Sequence, residues 1–287
     1  MNQYLDLLAE VRHHGIKQNN RTGIPTYTIP GAMLKFDMAD GFPAMTTKRL
    51  AWGQVKAELF GFLKGTTNAS DFRDLGCTIW DQNANENRDW LNNPNRKGLD
   101  DLGRIYGAQW REWRNTETSV YIDQLENAIN TVRNNPESRR IIVTAWNPAE
   151  LDQMALPPCH LMFQLLPHVS TRKLHMVMYQ RSCDMFLGIP FNIASYALLL
   201  HILSDLTGYE AGTLTMMLAD VHIYQNHLDQ VDEQLSRTPT KLPVLVMDTY
   251  KLPEFCTIDD YLENVSPKDF ELVDYNPQSA IKAPMAV

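Results

Sequence analysis

Apolar residues recur every three or four positions in several segments of the chain, which is typical of helices with one buried face. In the first segment Tyr4, Leu8 and Val11 share one side, and Gly15 stands where a helix cap belongs. The segment that ends at Gly208 is apolar almost throughout, which indicates a helix in the centre of the core. Periodicity predicts helices over residues 3–14, 51–64, 122–133, 191–208 and 223–235.

Shorter stretches rich in apolar and β-branched residues predict strands. Leu34, Phe36 and Met38 alternate with polar residues. Residues 26–30 precede them, and with Gly31 between the two stretches they predict a hairpin. Further strands are predicted over residues 141–146, 159–166, 174–179, 213–219 and 242–247.

One polar region interrupts this pattern. Residues 81–101 are rich in Asn, Asp and Arg and contain Pro94 and Gly98, which indicates a surface insertion near residues 83–101 with no predicted helix or strand. We therefore expect one α+β domain over residues 1–287. Its core is a mostly antiparallel or mixed sheet with a long buried helix, surrounded by further helices.

Composition narrows the classes of function. The 26 Lys and Arg residues face 34 Asp and Glu residues, and the net charge of −8 argues against a nucleic-acid or anionic membrane partner. No apolar run approaches the roughly 20 residues of a membrane helix, and no signal peptide pattern opens the chain. The four cysteines lack C-x-x-C spacing, so no disulfide scaffold or zinc knuckle is indicated. We expect a reduced, cytoplasmic protein.

The first candidate for chemistry is a cysteine that follows two prolines. Pro157 and Pro158 stiffen the chain directly before Cys159, which suits a positioned nucleophile, although a buried structural thiol fits the same residues. In an extended segment His160 would point to the opposite face and would not act as the base for Cys159. A nearby cation would then have to favour the thiolate, and Arg181 is the candidate.

A polar cluster surrounds Arg181. Gln180, Arg181, Ser182 and Asp184 lie within five residues, and such a cluster is hard to bury without a ligand. A guanidinium also binds phosphate bidentately, so the cluster indicates an anion site. A solvated turn is the alternative.

A second polar series alternates along the chain. Asp220, His222 and Tyr224 would share one face of a strand, an arrangement that suits hydroxyl binding or acid/base chemistry. A metal site is not indicated, because His222 and His227 are off the spacing of helical zinc pairs.

Two further features leave alternatives open. Arg139 and Arg140 precede an apolar strand and are either surface residues or an anion clamp. Glu58 lies in an apolar helical segment, where a carboxylate is expected on the solvent side.

The sequence resembles the thymidylate synthase family over nearly its whole length. The most specific match is the string QRSCDMFLGIPFNIASYA, which begins at Gln180. The other matching motifs are Asn20-Arg21-Thr22-Gly23, Gly41-Phe42-Pro43, Thr46-Thr47-Lys48-Arg49, Glu58, Thr78-Ile79-Trp80-Asp81, Tyr106-Gly107, Gln109-Trp110-Arg111, Ser138-Arg139-Arg140-Ile141-Ile142, Pro158-Cys159-His160, Asp220-x-His222-x-Tyr224 and Ile281-Lys282-Ala283-Pro284.

The resemblance implies methyl transfer from 5,10-methylenetetrahydrofolate to dUMP, giving dTMP and dihydrofolate without a metal. Since C5 of uracil is a poor nucleophile, the family adds a thiolate, here Cys159, to C6 and thereby activates C5. The resemblance also implies a homodimer in which Arg139 and Arg140 reach across the interface to the phosphate bound by the partner subunit.

The family's site residues carry over position by position. Those implied for catalysis are Cys159, Glu58, His160, Tyr106 and Asp184. Those implied for dUMP are Arg21, Arg139, Arg140, Gln180, Arg181, Ser182, Asp184, Asn192, His222 and Tyr224. Those implied for folate are Lys48, Ile79, Trp80, Asp184 and Val287.

Some positions depart from the family pattern. Asn20 stands where many members have Asp, and Asn83 where many have Trp. Leu218 and Ala219 replace the usual pair of glycines, which puts folate geometry in question but leaves nucleotide binding intact.

The sequence leaves two other functions as hypotheses. A dUMP hydroxymethylase would share the chemistry up to the exocyclic methylene and let water, in place of folate hydride, capture it. A catalytically inactive RNA-binding or regulatory relative is the alternative from another class. It would not need the nucleophile and phosphate ligands that this chain retains.

Overall fold

A central β-sheet organises the protein. The computed structural model describes residues 1–115, 117–118, 120–249, 252–253 and 256–285. The strands are β1 Ile16–Gln18, β2 Thr26–Asp37, β3 Trp113–Arg114, β4 Tyr121–Ile122, β5 Ile142–Thr144, β6 His160–His168, β7 Lys173–Asp184, β8 Glu210–Tyr224, β9 Val244–Met247 and β10 Phe270–Val273. Six of them form the main sheet in the order β1-β2-β8-β7-β6-β5. This confirms the predicted single α+β domain with a mixed sheet.

Helices pack around this sheet. They are α1 Asn2–His14, α2 Trp52–Leu63, α3 Ala69–Asp74, α4 Asp81–Asn85, α5 Arg88–Leu91, α6 Tyr106–Arg111, α7 Gln124–Asn134, α8 Gly188–Thr207, α9 Leu228–Leu235 and α10 Ile258–Asn264. The predicted helices at 3–14, 51–64 and 191–208 are confirmed with small differences at their ends. By length and composition α8 could cross a membrane, but 78% of that stretch is buried inside the protein, as in a core helix.

The pairing of β7 with β8 is parallel, whereas the other pairs of the main sheet are antiparallel. Parallel neighbours need a crossover, and α8 provides it. This helix packs on both strands and ends at Gly208, whose φ of 70° closes the helix in a left-handed cap. The carboxyl ends of β7 and β8 therefore meet at one edge, where Asp184 lies opposite His222.

The predicted hairpin at residues 26–38 is wrong. Residues 26–37 form the single strand β2, which pairs with β8 from Thr26↔Tyr224 to Asp37↔Thr213. Gly31 has a φ of 74°, yet the register on both of its sides is the same. The local turn signal is overridden because β8 is long enough to pair with the whole of β2.

The predicted helix at 223–235 begins too early. Ile223 and Tyr224 belong to β8, where they pair with Tyr27 and Thr26, and the helix α9 begins at Leu228. The polar region at 81–101 contains the two short helices α4 and α5, for which the sequence gives no periodic signal.

One face of the main sheet carries exposed apolar side chains. Met33 lies opposite Met217, Met217 opposite Tyr179, and Tyr179 opposite Met162, so these four side chains form a row across four strands. Met33, Met217 and Tyr179 are 60%, 41% and 41% exposed. We call the row, together with the exposed Ile142 on β5, the open face.

Close packing of α2 on α3 predicts opposite effects for two glycines of the same helix. A Cβ at Gly61 would lie 2.1 Å from Cε1 of the buried Phe72, whereas a Cβ at Gly53 would meet nothing within 4 Å. We expect Gly61→Ala to lower the free energy of unfolding by about 1–3 kcal/mol, because an overpacked core must shift. Gly53→Ala should be neutral or stabilising by up to about 1 kcal/mol. Urea denaturation measures both, and equal effects would contradict this packing.

Candidate active site

A single deep cleft collects most of the residues singled out from the sequence. Its volume is about 960 Å³. The sequence-derived residues that line it are Arg21, Lys48, Glu58, Ile79, Trp80, Tyr106, Cys159, His160, Gln180, Arg181, Ser182, Asp184, Asn192, His222 and Tyr224. Arg139 and Arg140 are exposed outside it, and Val287 lies outside the described residues.

The fold brings these distant residues together at one edge of the main sheet. Residues 180–184 come from the end of β7, residues 220–224 from the end of β8, and Asn192 from the first turns of α8. Cys159 immediately precedes β6, and Arg181 N donates a hydrogen bond of 2.8 Å to the carbonyl oxygen of Cys159. The cleft is thus built at the ends of β7 and β8 and at the start of β6, where the β6–β7 register shifts between His160 and Met162.

Cys159 is a half-buried thiol held by neighbours on both sides. Its backbone N–H donates to Tyr106 Oη at 2.7 Å, and Arg181 Nη2 lies 3.9 Å from its Sγ. The Arg181 guanidinium is itself fixed by hydrogen bonds to the carbonyl oxygens of Pro157 and Pro158 at 3.0 and 2.8 Å. The two prolines therefore position the cation as well as the cysteine.

The charge state of Cys159 differs from the expectation that Arg181 makes it a thiolate. Burial raises the pKa of the thiol, and although Arg181 and Arg21 oppose this rise, the net pKa stays above its usual value. The positive groups of this chain alone are too few to outweigh desolvation.

Glu58 is buried, against the general expectation that a carboxylate in an apolar helix faces solvent and in agreement with the role that the family resemblance implies for it. It is 7% exposed, and Trp80 Nε1 donates to its Oε1 at 3.0 Å. Burial raises the pKa of Glu58 to about 8, with the Trp80 hydrogen bond acting in the opposite direction. A carboxylate can be buried here because the protein covers α2 on nearly every side along residues 57–63.

His160 is a neutral hydrogen-bonding group. Its Nδ1 lies 2.9 Å from Tyr196 Oη, and its ring stacks on Tyr106 with centroids 4.3 Å apart. Burial lowers the pKa of His160 to about 3, so the imidazole carries no charge at neutral pH. Tyr196 was not singled out from the sequence, although a lone phenol in the apolar α8 is a usable signal for a buried polar contact.

Asn192 is oriented by a chain of hydrogen bonds. Gln180 Nε2 donates to the Ser182 carbonyl oxygen and to Asn192 Oδ1, each at 3.0 Å. The Asn192 oxygen is thereby fixed as an acceptor beside Gln180, and its amide N–H groups are left to donate. An amide fixed in this way offers a ligand a defined pattern of donor and acceptor.

Lys48 and Asp184 meet around Phe186. Asp184 Oδ1 accepts from the backbone N–H groups of Phe186 and Leu187 at 2.9 and 3.2 Å. The Lys48 ammonium donates to the Phe186 carbonyl oxygen and sits 3.4 Å from the centroid of its ring. Burial lowers the pKa of Lys48 to about 7, although the charge of Asp184 opposes the fall.

Asp220, His222 and Tyr224, the polar series predicted on one strand, lie at the end of β8 and all line the cleft. His222 Nδ1 lies 3.1 Å from the carbonyl oxygen of Asp220, and its ring meets Tyr224 edge-on at 5.3 Å. Burial lowers the pKa of His222, but the hydrogen bond to Asp220 and the charges of Asp184 and Asp220 outweigh it and leave the pKa raised.

The loop that carries Arg21 is shaped by Asn20. Asn20 Oδ1 accepts from Thr22 N and Oγ1 at 2.9 and 2.6 Å, and Asn20 Nδ2 donates to the Ile24 carbonyl oxygen at 2.8 Å. An aspartate could not make that last donation. Asn20 thus closes the turn by itself and leaves the Arg21 side chain at the mouth of the cleft.

Leu218 and Ala219, which replace the family's usual pair of glycines on β8, do not form part of the described cleft wall. Leu218 is 3% exposed and pairs with Ala32 and Gln180, and neither Leu218 nor Ala219 is among the described residues that line the cleft. Within the described ranges, no cluster of three His, Cys, Asp or Glu side chains is arranged to hold a metal.

The fold and the cleft together define an α+β protein whose deep cleft holds a half-buried cysteine beside an arginine. A family model described as thymidylate synthase matches residues 2–287. The chain belongs to the thymidylate synthase family, a family of methyltransferases.

Named relatives cover the chain from end to end. Proteins named thymidylate synthase from Pseudomonas syringae pv. tomato, Pseudomonas putida and Bordetella parapertussis are 45%, 44% and 42% identical to it over 324 aligned residues. Each alignment covers 100% of both chains. Since the aligned length exceeds 287 residues, these relatives carry residues that this chain lacks.

Burial of Glu58 predicts stability that falls as pH rises. Its carboxyl titrates at about 8 in the folded protein against an ordinary value of 4.5. Its stabilisation is therefore complete below the lower pKa and is lost as pH rises through the higher one. Between about pH 5 and 8, wild type should lose on the order of 3 kcal/mol of unfolding free energy relative to Glu58→Gln, which cannot ionise. Urea denaturation at several pH values measures this, and parallel curves for the two proteins would contradict it.

Proposed function

We propose that the protein catalyses the reductive methylation of dUMP to dTMP, with 5,10-methylenetetrahydrofolate as the donor of carbon and hydride and dihydrofolate as the second product. The observation that carries the proposal is that Cys159 lies beside the fixed guanidinium of Arg181, in a cleft that the oriented amide of Asn192 also lines. This arrangement suits a nucleotide whose base must be attacked at one carbon while its phosphate is held. Family membership supports the same reaction.

The nucleotide is held at three points in this proposal. Arg21, Arg181 and Ser182 bind the phosphate, and His222 with Tyr224 binds the 3′-hydroxyl. Asn192 accepts from N3–H and donates to O4, which matches the orientation that Gln180 imposes on its amide. A phosphate also draws the arginines together around Cys159, which favours the thiolate that burial disfavours.

Covalent catalysis then begins at Cys159. The thiolate sulfur forms a bond with C6, the C5–C6 double bond opens, and the electron pair becomes available at C5 while O4 takes up negative charge. Glu58, buried and with a pKa near neutrality, is suited to exchange a proton through water near O4. Neutral His160 and Tyr106 hold the surrounding hydrogen bonds.

The folate half of the cleft fits a flat, partly apolar ligand. Ile79, Trp80, Lys48, Ile281 and Met285 line it beside the nucleotide half, and an apolar wall with few polar groups is typical of cofactor sites. Folate supplies the one-carbon unit and then the hydride. The chain's part is to keep this ligand stacked on the nucleotide and to exclude water.

Hydroxymethylation is the alternative, and it is not favoured. It differs only in letting water capture the exocyclic methylene, so it requires an open folate side. The relatives that cover the whole chain are named thymidylate synthase. The buried Trp80, which lines the cleft, also supports a site that excludes water.

The proposal includes a homodimer that shares its sites. The open face offers an unbroken row of apolar side chains across four strands, which is more than scattered surface residues would expose. Arg139 and Arg140 are exposed beside β5 at the edge of the same sheet and do not reach their own cleft. In the proposed dimer they bind the phosphate held by the partner subunit, without any need for nucleic acid or membrane.

We also propose a cytoplasmic location and a reaction that needs no metal. Cys77, Cys159, Cys183 and Cys256 are all free thiols, and three of them are buried in the core. Free thiols of this kind suit a reducing compartment. The metal-free chemistry follows from the proposed sulfur nucleophile, which needs no Lewis acid to add to C6.

Mass analysis of the nucleotide formed from dUMP and methylenetetrahydrofolate tests the reaction itself. Wild type should give dTMP and an equal amount of dihydrofolate. Cys159→Ser should lower turnover by at least about a thousandfold and still bind dUMP, because a serine hydroxyl is far less ionised than a thiol. Cys256→Ser, a matched change of a buried thiol away from the cleft, should leave the reaction intact. Hydroxymethyl-dUMP as the main wild-type product would contradict the proposal.

Mixing two inactive proteins tests the shared site. Cys159→Ser subunits should be combined with subunits that carry both Arg139→Glu and Arg140→Glu. A mixed dimer would contain one cleft with an intact cysteine and intact arginines from its partner, so activity should return to about a quarter of the wild-type level after random exchange. Inactivity despite subunit exchange, shown by native mass spectrometry, would contradict the proposed dimer.

A further inference from the structure

The folate half of the cleft has a wall made by a very short helix. Gln82 and Asn83 belong to α4 and line the cleft, and Trp80 begins that helix. With five residues and no side-chain cap at its start, α4 cannot be stable alone, because short helices in water are marginal. Its position must therefore be set by contacts with other parts of the chain.

Arg73, in the last turn of α3, supplies the first of these contacts. Its Nη1 donates to Asp81 Oδ1 at 2.7 Å, at the start of α4. The same guanidinium binds both carboxylate oxygens of Asp100, with Nη1 at 3.0 Å from Oδ1 and Nη2 at 2.6 Å from Oδ2. One planar group thus joins the start of α4 to the end of the polar insertion, in a geometry that a flexible ammonium could not reproduce.

Asp100 holds the other end of the same helix. Asn85, the last residue of α4, donates from Nδ2 to Asp100 Oδ1 at 2.7 Å and accepts from Asp100 N at 3.0 Å. The Asp100 carbonyl oxygen accepts from Ala69 N at 2.8 Å, which ties this residue to the start of α3. Asp100 has a φ of 61°, a left-handed conformation in which Asp and Asn are enriched. Its side chain is only 14% exposed.

We propose that Arg73 and Asp100 form a clamp that positions α4, and that Arg73 is thereby a positioning residue for folate binding and hydride transfer. Displacement of α4 would displace Trp80, whose indole bonds to Glu58 and closes the folate half against water. The insertion near residues 83–101 acquires a role in this way, because Asp100 binds the last residue of the wall helix directly and is joined to its first residue through Arg73. The inference rests on the proposed function.

The test compares Arg73→Gln with Arg12→Gln. The Arg12–Asp232 pair joins α1 to α9 with two hydrogen bonds of 2.8 Å, and its arginine is about as exposed as Arg73, at 30% against 37%, so it is a control arginine in an ion pair away from the cleft. Arg73→Gln should raise KM for methylenetetrahydrofolate about three- to tenfold, because small displacements of positioning groups are costly. KM for dUMP should stay within about twofold, since the nucleotide half is untouched. Arg12→Gln should change neither constant.

A second readout follows the intermediate itself. With added thiol as a competing nucleophile, Arg73→Gln should yield more thiol-trapped nucleotide relative to dTMP than wild type, measured by mass. Asp100→Asn keeps the left-handed backbone and weakens the clamp, so it should change KM for folate in the same direction. If Arg73→Gln is unfolded at the assay temperature, Asp100→Asn decides the question. Arg73→Lys, which can meet only one carboxylate well, should restore part of the loss.

The outcomes separate the two proposals. If wild type forms dTMP but Arg73→Gln and Asp100→Asn resemble Arg12→Gln in both readouts, the clamp has no positioning role and the proposed function stands. If Arg12→Gln raises KM for folate equally, the effect belongs to general destabilisation and the inference is overturned. If wild type forms no dTMP, the proposed function falls and the inference with it.

Discussion

Parallel pairing of β7 with β8 is the constraint on which the cleft depends. Two parallel strands must be joined by a crossover, and here the crossover is α8, buried against both strands. Because the strands run in the same direction, their polar carboxyl ends lie side by side at one edge. Gln180 to Asp184, His222 and the start of α8 then converge without any of them needing a special loop. The apolar length of α8 is thus a requirement of the site as well as of the core.

Burial in the cleft favours the uncharged form of each ionisable group. Desolvation disfavours charge, so it raises the pKa of Glu58 to about 8 and lowers those of Lys48 and His160 to about 7 and 3. The free cleft therefore carries less charge near pH 7 than its residues suggest. Groups poised near neutrality can exchange protons with little cost, which is the condition that acid/base chemistry at neutral pH sets. The same effect keeps Cys159 protonated until cations gather around it.

Sequence patterns located most of the fold, and the failures have identifiable causes. The helices at 3–14 and 51–64 follow from periodicity and clear glycine stops. The long pairing of β2 with β8 overrode the turn signal of Gly31. The same pairing includes Ile223 and Tyr224, so the helix predicted to begin at residue 223 begins later. The family motifs located most of the cleft residues, because the long string that begins at Gln180 is specific by itself and the shorter motifs accompany it along the chain.

What periodicity and motifs could not supply is the orientation of groups by distant neighbours. The burial of Glu58 depends on how other elements cover α2, and the bond from His160 to Tyr196 joins residues 36 positions apart. The amide of Asn192 is oriented by Gln180 twelve positions away. The polar insertion has no periodic pattern, so the sequence could not predict the hydrogen bond that joins Asp100 to Asn85 of α4.

The two halves of the cleft differ in how they are held, and this difference bears on mechanism. The nucleotide half stands on paired strands and on the first turns of a long buried helix, which hydrogen bonding and core packing hold in place. The folate half stands on a short helix, the terminal residues 281–285 and surface ion pairs, which are the parts most able to shift. Under the proposed function, a nucleotide half built on the sheet and a folate half built on a short helix favour binding of dUMP first. The folate ligand would then bind second and complete the wall of the cleft. Water would have to be excluded only once dUMP is placed for bond formation with Cys159.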